Sequence, residues 1–77
     1  MPTIHIIDSI KIMIYYDDHL PPHFHASYVE YEEVFLIETL ESYSGKLPTK
    51  QRKKVLKWAR EHQDFLWERW NEFNPNT

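Results

Sequence analysis

The sequence predicts an α+β fold in which a small antiparallel sheet of four to five strands is covered on one face by a C-terminal helical hairpin. Three observations predict this fold. Apolar and polar residues alternate along residues 3–44, apolar residues recur every three or four positions after residue 47, and the single glycine, Gly45, separates the two patterns. Strands that precede the helices, rather than alternating with them, are typical of the α+β class.

Five strands follow from the alternation and from the turn-forming residues that interrupt it. Asp8 and Ser9 favour a turn after the first strand, and the loop of residues 17–22, with two aspartates and two prolines, cannot continue a ladder. A turn at residues 29–31 separates the third strand from the fourth. The predicted strands are residues 3–7, 10–16, 23–29, 32–38 and 41–44.

Two helices follow from the change of period after the sheet. Pro48 suits the first turn of a helix, and Thr49 is a residue type that can cap one. Val55 and Ala59 belong to an apolar stripe at helical spacing, and a break near His62 separates this helix from a second one. The predicted helices are residues 49–61 and 63–73, and residues 74–77 are expected to fray.

Composition limits the class of protein. The 77 residues are enough for a single domain, and the absence of cysteine excludes a disulfide scaffold, a thiolate metal site and cysteine catalysis. No apolar run approaches the roughly 20 residues that span a bilayer, and the first residues lack the basic and apolar regions of a signal peptide. We therefore expect a soluble cytoplasmic protein with no membrane contact.

The net charge of −3 is divided unevenly along the chain. Residues 1–44 carry one lysine against eight acids, a net charge of −7, whereas residues 45–77 carry eight lysines and arginines against four acids, a net charge of +4. The acidic half would repel phosphate, which argues against a general nucleic-acid binder but allows one basic surface.

Three histidines and two aspartates lie within residues 17–25, around two consecutive prolines. His23 and His25 are two positions apart, so their rings share one face of a strand, and we expect it to be the face that the helices leave uncovered. Two imidazoles on one face are a common half of a metal site. The metal hypothesis assigns a divalent transition metal to His19, His23 and His25, with one of the two aspartates as a further ligand.

Two other interpretations of this segment stay open. In a structural interpretation, the histidines bind backbone carbonyls and carboxylates and only hold the turn. In a catalytic interpretation, His23 and His25 act as acid and base in metal-independent RNA cleavage, and the cations of residues 50–53 hold phosphate. The residue types suit either role, so the sequence does not decide whether the protein is an enzyme.

The second helix carries more aromatic side chains than one helix face can bury against a small sheet. Phe65 and Trp67 lie off the stripe that is expected to face the sheet, and Arg69 lies beside them. Large aromatic residues next to arginine are typical of the anchors of protein interfaces. The residues predicted to contact a partner are Phe65, Trp67, Arg69, Lys53, Lys57 and Arg60.

Several segments carry a family resemblance. The most specific is residues 18–26, Asp-His-Leu-Pro-Pro-His-Phe-His-Ala. The other segments are the Met-Pro-Thr-Ile start, Tyr31-Glu32, Ile37-Glu38-Thr39, Gly45-Lys46-Leu47-Pro48 and the spacing of Trp58, His62 and Trp70. Together they resemble, over nearly the whole chain, the small prokaryotic family called domain of unknown function (DUF) 4160. Leu40 stands where that family often has a glycine.

The resemblance implies a bacterial protein encoded beside a second small protein of the DUF 2442 type, in an arrangement similar to toxin–antitoxin modules. It implies no catalytic residues. We therefore predict a partner-binding module of a toxin–antitoxin-like pair, whose partner is that small protein or a second copy of the chain. The alternatives are a metal-independent RNA-cleaving toxin and a metal-binding protein.

Overall fold

The computed structural model describes residues 3–75 and confirms the predicted α+β architecture. The first two residues and the expected fraying at residues 76–77 lie outside the described range. The elements are β1 (Thr3–Ile7), β2 (Ile10–Met13), β3 (His23–Tyr28), β4 (Tyr31–Leu36), β5 (Ser42–Gly45), α1 (Thr49–Glu61) and α2 (Gln63–Phe73).

The strands form one antiparallel meander in the spatial order β1-β2-β3-β4-β5. Three strands are shorter than predicted: β3 ends at Tyr28, before Val29, and β2 and β4 end where the paired hydrogen bonds of the ladder stop. Beyond β2, the N–H of Asp17 donates to the carbonyl of Phe73 at 3.2 Å. Beyond β4, the N–H of Ile37 donates to the carbonyl of Pro22 at 3.1 Å, in register with the β3–β4 pairing, but Pro22 has no N–H to donate in return. The predictions of strand at residues 14–16 and 37–38 were therefore wrong.

Tight turns place several residues in the left-handed region of backbone conformation. Asp8 and Ser9, which join β1 to β2, have φ of 43° and 70°. Leu40 has φ of 63°, a value that favours glycine. Gly45 has φ of 75°, and a Cβ there would collide with the carbonyl oxygen of Glu32, so no other residue fits.

One face of the sheet packs on the helices. In the register of the ladder, Phe24 pairs with Phe35 and Ala26 pairs with Ile12, so these side chains point to the same side. All four are fully buried. They belong to a core whose helical members are Val55, Ala59, Leu66, Trp70 and Phe73.

A buried carboxylate holds the joint between the sheet and α1. Glu33 lies on the helix-covered face, where its side chain is 2% exposed, and it accepts the backbone N–H of Leu47 at 3.0 Å and the Nε–H of Arg52 at 3.1 Å. Pro48 is the N-cap of α1 and Thr49 is its first residue, with no side-chain cap. The threonine cap was therefore wrong, although both helices have the predicted bounds.

The helices are too short or too polar to cross a bilayer. Within residues 3–75, no helix combines the length and the apolar character that a membrane span requires.

Candidate metal centre

The loop between β2 and β3 brings a carboxylate to the start of β3. The backbone N–H of Asp18 donates to Oδ1 of Asn74 at 2.6 Å, and Asn74 directly follows α2. The Oδ1 atom of Asp18 accepts the backbone N–H of His19 at 2.8 Å. The second carboxylate oxygen, Oδ2, then faces the two histidines of β3.

His23 is the most enclosed of the three histidines, at 2% exposure. Its Nδ1 lies 2.7 Å from the carbonyl oxygen of Pro21. Because a carbonyl oxygen only accepts, Nδ1 carries the hydrogen, and the other ring nitrogen, Nε2, is directed at Asp18 Oδ2, 2.9 Å away. The ring of Trp70, on α2, lies 5.4 Å from the His23 ring.

His25 repeats this arrangement with a carboxylate in place of the carbonyl. Its Nδ1 lies 3.1 Å from Oε2 of Glu32, and its Nε2 lies 3.7 Å from Asp18 Oδ2. That Nε2 atom is buried and has no hydrogen-bond partner among residues 3–75. The ring of Tyr15 stacks on the His25 ring at 4.3 Å between centroids.

His19 approaches the same carboxylate from the other side. Its Nδ1 lies 3.2 Å from the carbonyl oxygen of Leu20, and its Nε2 lies 3.7 Å from Asp18 Oδ1. Unlike the two strand histidines it is 68% exposed. Its ring centroid lies 5.1 Å from that of His23.

The three histidines therefore share one pattern. Each directs Nδ1 at an oxygen acceptor outside the cluster and Nε2 at the carboxylate of Asp18. Metal-binding histidines are oriented in this way, because the outer acceptor fixes the tautomer that leaves Nε2 as a ligand atom. One ligand atom each from Asp18, His23 and His25 lies within 4.8 Å of the other two.

The surroundings keep the Asp18 carboxyl ionised. Burial alone would raise its pKa, but the N–H of His19, and His23 and His19 when they are protonated, act in the opposite direction, and the net effect lowers the pKa. The pKa of the Tyr15 hydroxyl is raised, because burial and the negative charges of Glu32 and Asp18 disfavour its ionised form. The cluster thus offers an anionic oxygen beside a protonated phenol.

Residues 9–71 match the protein family described as Domain of unknown function (DUF4160). The chain belongs to this family. The match includes all the histidines and carboxylates of the cluster and ends before Asn74. No curated protein and no solved structure matches the chain.

In this DUF4160 domain, the alternation of polar and apolar residues correctly predicted the face of β3 on which the two histidines lie, but it did not predict how exposed they are. His23 and His25 lie opposite the buried Phe24 and Ala26, as predicted, and His25 pairs in register with Val34. His23 is enclosed rather than exposed, because Trp70 packs against its ring. The two imidazole centroids lie 5.2 Å apart.

Sequence reasoning missed two residues of the candidate metal centre of this DUF4160 domain. Glu32 is two positions from Val34, the partner of His25, so the strand register carried a signal for its contact with His25. Asn74 contacts Asp18 across 56 residues of chain, and nothing local in the sequence indicates that contact.

The surface predicted for a partner is only partly available in the DUF4160 domain. Trp67 packs against the core, so the expectation that it points away from the sheet was wrong. Phe65 is half-buried, its ring centroid lies 6.2 Å from that of Trp58, and the Arg69 guanidinium lies 5.6 Å above it. Arg69 also forms an ion pair with Glu72 at 3.0 Å.

The basic side chains of α1 divide into two groups. Arg52 is engaged by Glu33 on the helix-covered side of the sheet. Lys53, Lys57 and Arg60 are exposed, and no ion pair within residues 3–75 includes them. The charged side chains that contact His23 and His25 are carboxylates, Asp18 and Glu32, rather than the lysines and arginines that RNA cleavage would require.

Proposed function

We propose that this DUF4160 domain binds a divalent transition-metal ion through Asp18, His23 and His25. The observation that carries the proposal is the convergence of both strand Nε2 atoms on one ionised carboxylate, with each Nδ1 already held by an oxygen acceptor. Two imidazoles and one carboxylate suit zinc, iron(II) or nickel rather than calcium or magnesium, which prefer oxygen ligands.

The distances support an ion at the centre of the cluster. Metal–ligand bonds of about 2.0–2.1 Å place neighbouring ligand atoms of a tetrahedral site about 3.3 Å apart. The separations from Asp18 Oδ2 are 2.9 Å to His23 Nε2 and 3.7 Å to His25 Nε2, one on either side of that value. The three ligand atoms lie within 4.8 Å of one another, so a bound ion would draw them closer together.

A purely structural interpretation accounts for His23 but not for His25. His23 has a carbonyl and a carboxylate as partners, as a turn-forming histidine would. The Nε2 atom of His25 is buried beside a carboxylate without a hydrogen bond, and a buried polar atom in that state costs about 1–3 kcal/mol. A bound ion would satisfy it.

His19, which the sequence predicts as a ligand beside His23 and His25, would be the fourth ligand of this site. Its Nε2 faces Asp18 Oδ1 rather than Oδ2, and its exposure allows the ring to rotate toward an ion. A site with His19 would have four protein ligands, which is typical of structural zinc, whereas a site without it would keep a position open.

Metal binding is tested on tag-free protein by elemental analysis and by calorimetric titration with Zn²⁺. We expect saturation at a single ion per chain. The His25→Ala variant should lose binding. His62→Ala should retain it, because His62 is exposed and its side chain contacts Trp58, at the backbone carbonyl and at the ring, rather than the cluster. A folded wild-type protein that takes up no ion would overturn the proposal.

A second proposal follows from the unpaired basic side chains of α1. We propose that Lys53, Lys57 and Arg60, with Phe65 and Arg69, contact a partner protein, as expected for one member of a toxin–antitoxin-like pair. The exposed cations support it, because a carboxylate-rich partner would neutralise them. The resemblance suggests the small DUF 2442-type protein as this partner, and the proposal places the pair in the bacterial cytoplasm.

Co-expression with the neighbouring gene product tests the partner proposal. Replacing Lys53 and Lys57 together by glutamate should abolish co-purification, while Lys11→Glu, on the opposite side of the sheet, should not. Equal recovery of the partner with both variants would contradict the proposal. Light scattering of the isolated chain shows whether a second copy takes the partner's place.

RNA cleavage has less support than either proposal. Asp18 and Glu32 flank the histidine pair and would repel a phosphate. The prediction is tested by incubating the metal-free protein with RNA. Degradation that His23→Ala and His25→Ala both abolish would favour it over metal binding.

A further inference from the structure

The last turn of α2 is bonded to the loop that carries Asp18. Asn74 accepts the backbone N–H of Asp18 through Oδ1 at 2.6 Å, and its Nδ2 donates to the carbonyls of Tyr15 and Trp70, both at 3.2 Å. Asn74 is 1% exposed, its bond to Trp70 is buried, and its bonds to Asp18 and Tyr15 are partly buried. A single amide side chain therefore connects the end of the helix to both ends of the segment 15–18.

Other contacts at the same place join the loop and β3 to α2. The N–H of Asp17 donates to the carbonyl of Phe73, and the ring of Tyr16 lies 4.5 Å from that of Phe73. The ring of His23 lies 5.4 Å from that of Trp70. Two of the three proposed ligands, Asp18 and His23, are thus positioned in part by α2.

We propose that Asn74 is a positioning residue of the metal centre and couples ion binding to the docking of α2. The inference rests on the proposed metal binding. Asp18 lies on a loop without regular secondary structure, and its bond to Asn74 restricts the loop before an ion arrives. Without Asn74, the ion would have to order the loop itself, and that entropy cost would weaken binding.

The coupling acts in both directions, because linkage between two sites is reciprocal. An ion held by Asp18 and His23 favours the conformation in which the end of α2 is docked on the loop. Since α2 also carries Phe65 and Arg69, metal availability would control how firmly that candidate partner surface is held. This assigns a regulatory role to the centre beyond binding.

The experiment compares Zn²⁺ affinity, by calorimetry, in the wild type and two variants. Asn74→Ala removes the contact at the C-terminal end of α2 and should weaken binding by about 10–100-fold, as loss of an outer partner typically does. Gln63→Ala is the matched control. Gln63 ties the other end of α2 to the turn after β4, through the carbonyls of Ile37 and Glu38, and its loss should leave Zn²⁺ affinity unchanged.

The possible outcomes separate the inference from the proposed function. If the wild type and folded Asn74→Ala bind Zn²⁺ with equal affinity, the inference is overturned and the proposed metal binding stands. If the wild type binds no Zn²⁺, the inference and the proposed metal binding are both overturned. If Asn74→Ala does not fold, amide hydrogen exchange of the wild type decides. Zn²⁺ at about 100 times its Kd should slow exchange near residues 70–73 by up to about 100-fold, and an unchanged rate there overturns the coupling.

Discussion

Two enclosed carboxylates, Glu33 at the sheet–α1 joint and Asp18 at the histidine cluster, differ in what surrounds them. Glu33 accepts hydrogen bonds from a backbone N–H and from the Arg52 guanidinium, groups that only donate and offer no ligand atom to a metal. Asp18 faces imidazole nitrogens, which are common metal ligands. Both carboxyl pKa values are lowered, so the direction of the shift does not distinguish the joint from the centre. The two carboxylates are distinguished by the identity of the groups that face them.

The largest difference is expected when each carboxylate is removed. Glu33→Ala leaves the N–H of Leu47 buried without an acceptor and Arg52 without its partner, and should lower the free energy of unfolding by about 3 kcal/mol. Its Zn²⁺ affinity should stay unchanged. Asp18→Asn should abolish Zn²⁺ binding and should change the free energy of unfolding less than Glu33→Ala does. Urea denaturation and calorimetry measure the two quantities. A loss of ion binding in folded Glu33→Ala would break the comparison.

A smaller effect is expected at the outer partner of His25. Glu32→Gln keeps an oxygen near Nδ1 but removes the charge that orients the ring, so Zn²⁺ affinity should fall by about 10-fold. Because the Glu32 side chain is 50% exposed, thermal stability in the absence of metal should hardly change. The matched control is Glu30→Gln, an exposed acid in the adjacent turn. Equal affinities in the two variants would show that the Glu32–His25 contact is only structural.

The smallest effect concerns the pH dependence of stability at the joint. Burial raises the pKa of Glu33, but hydrogen bonds from the Ser42 hydroxyl, the Leu47 N–H and the Arg52 guanidinium outweigh it and lower the folded-state pKa below the ordinary value of 4.5. A lowered folded-state pKa contributes stability above that ordinary value and loses it as the pH falls through the folded-state pKa.

Urea denaturation of metal-free protein between about pH 3 and pH 6 measures this contribution. The free energy of unfolding of the wild type should decrease toward the acid end, and Glu33→Gln should show a weaker decrease. Parallel curves for the two proteins would mean that other carboxylates account for the acid sensitivity.

The elements of the fold were predictable because each depends on neighbouring residues. The alternation around Phe24 and Ala26 identified β3 and its buried face, and the spacing of Val55 and Ala59 identified α1. The single glycine marked the end of the sheet, where its positive φ and its contact with the Glu32 carbonyl are both required. Strand ends were less predictable, because the end of β4 depends on the residue opposite it: Pro22, which faces Ile37 in the register, has no N–H to continue the ladder.

By itself, the sequence determined the order of the elements and placed His23 and His25 on one side of β3, since a strand alternates its side chains whatever surrounds it. Only the tertiary structure decided that Asp18 lies between them, that Glu32 orients His25 and that Trp70 encloses His23. The physical reason is the range of the interactions. Periodicity is set by residues two to four positions apart, whereas the bond that holds Asp18 comes from Asn74, 56 residues away, and exists only because α2 ends beside the loop.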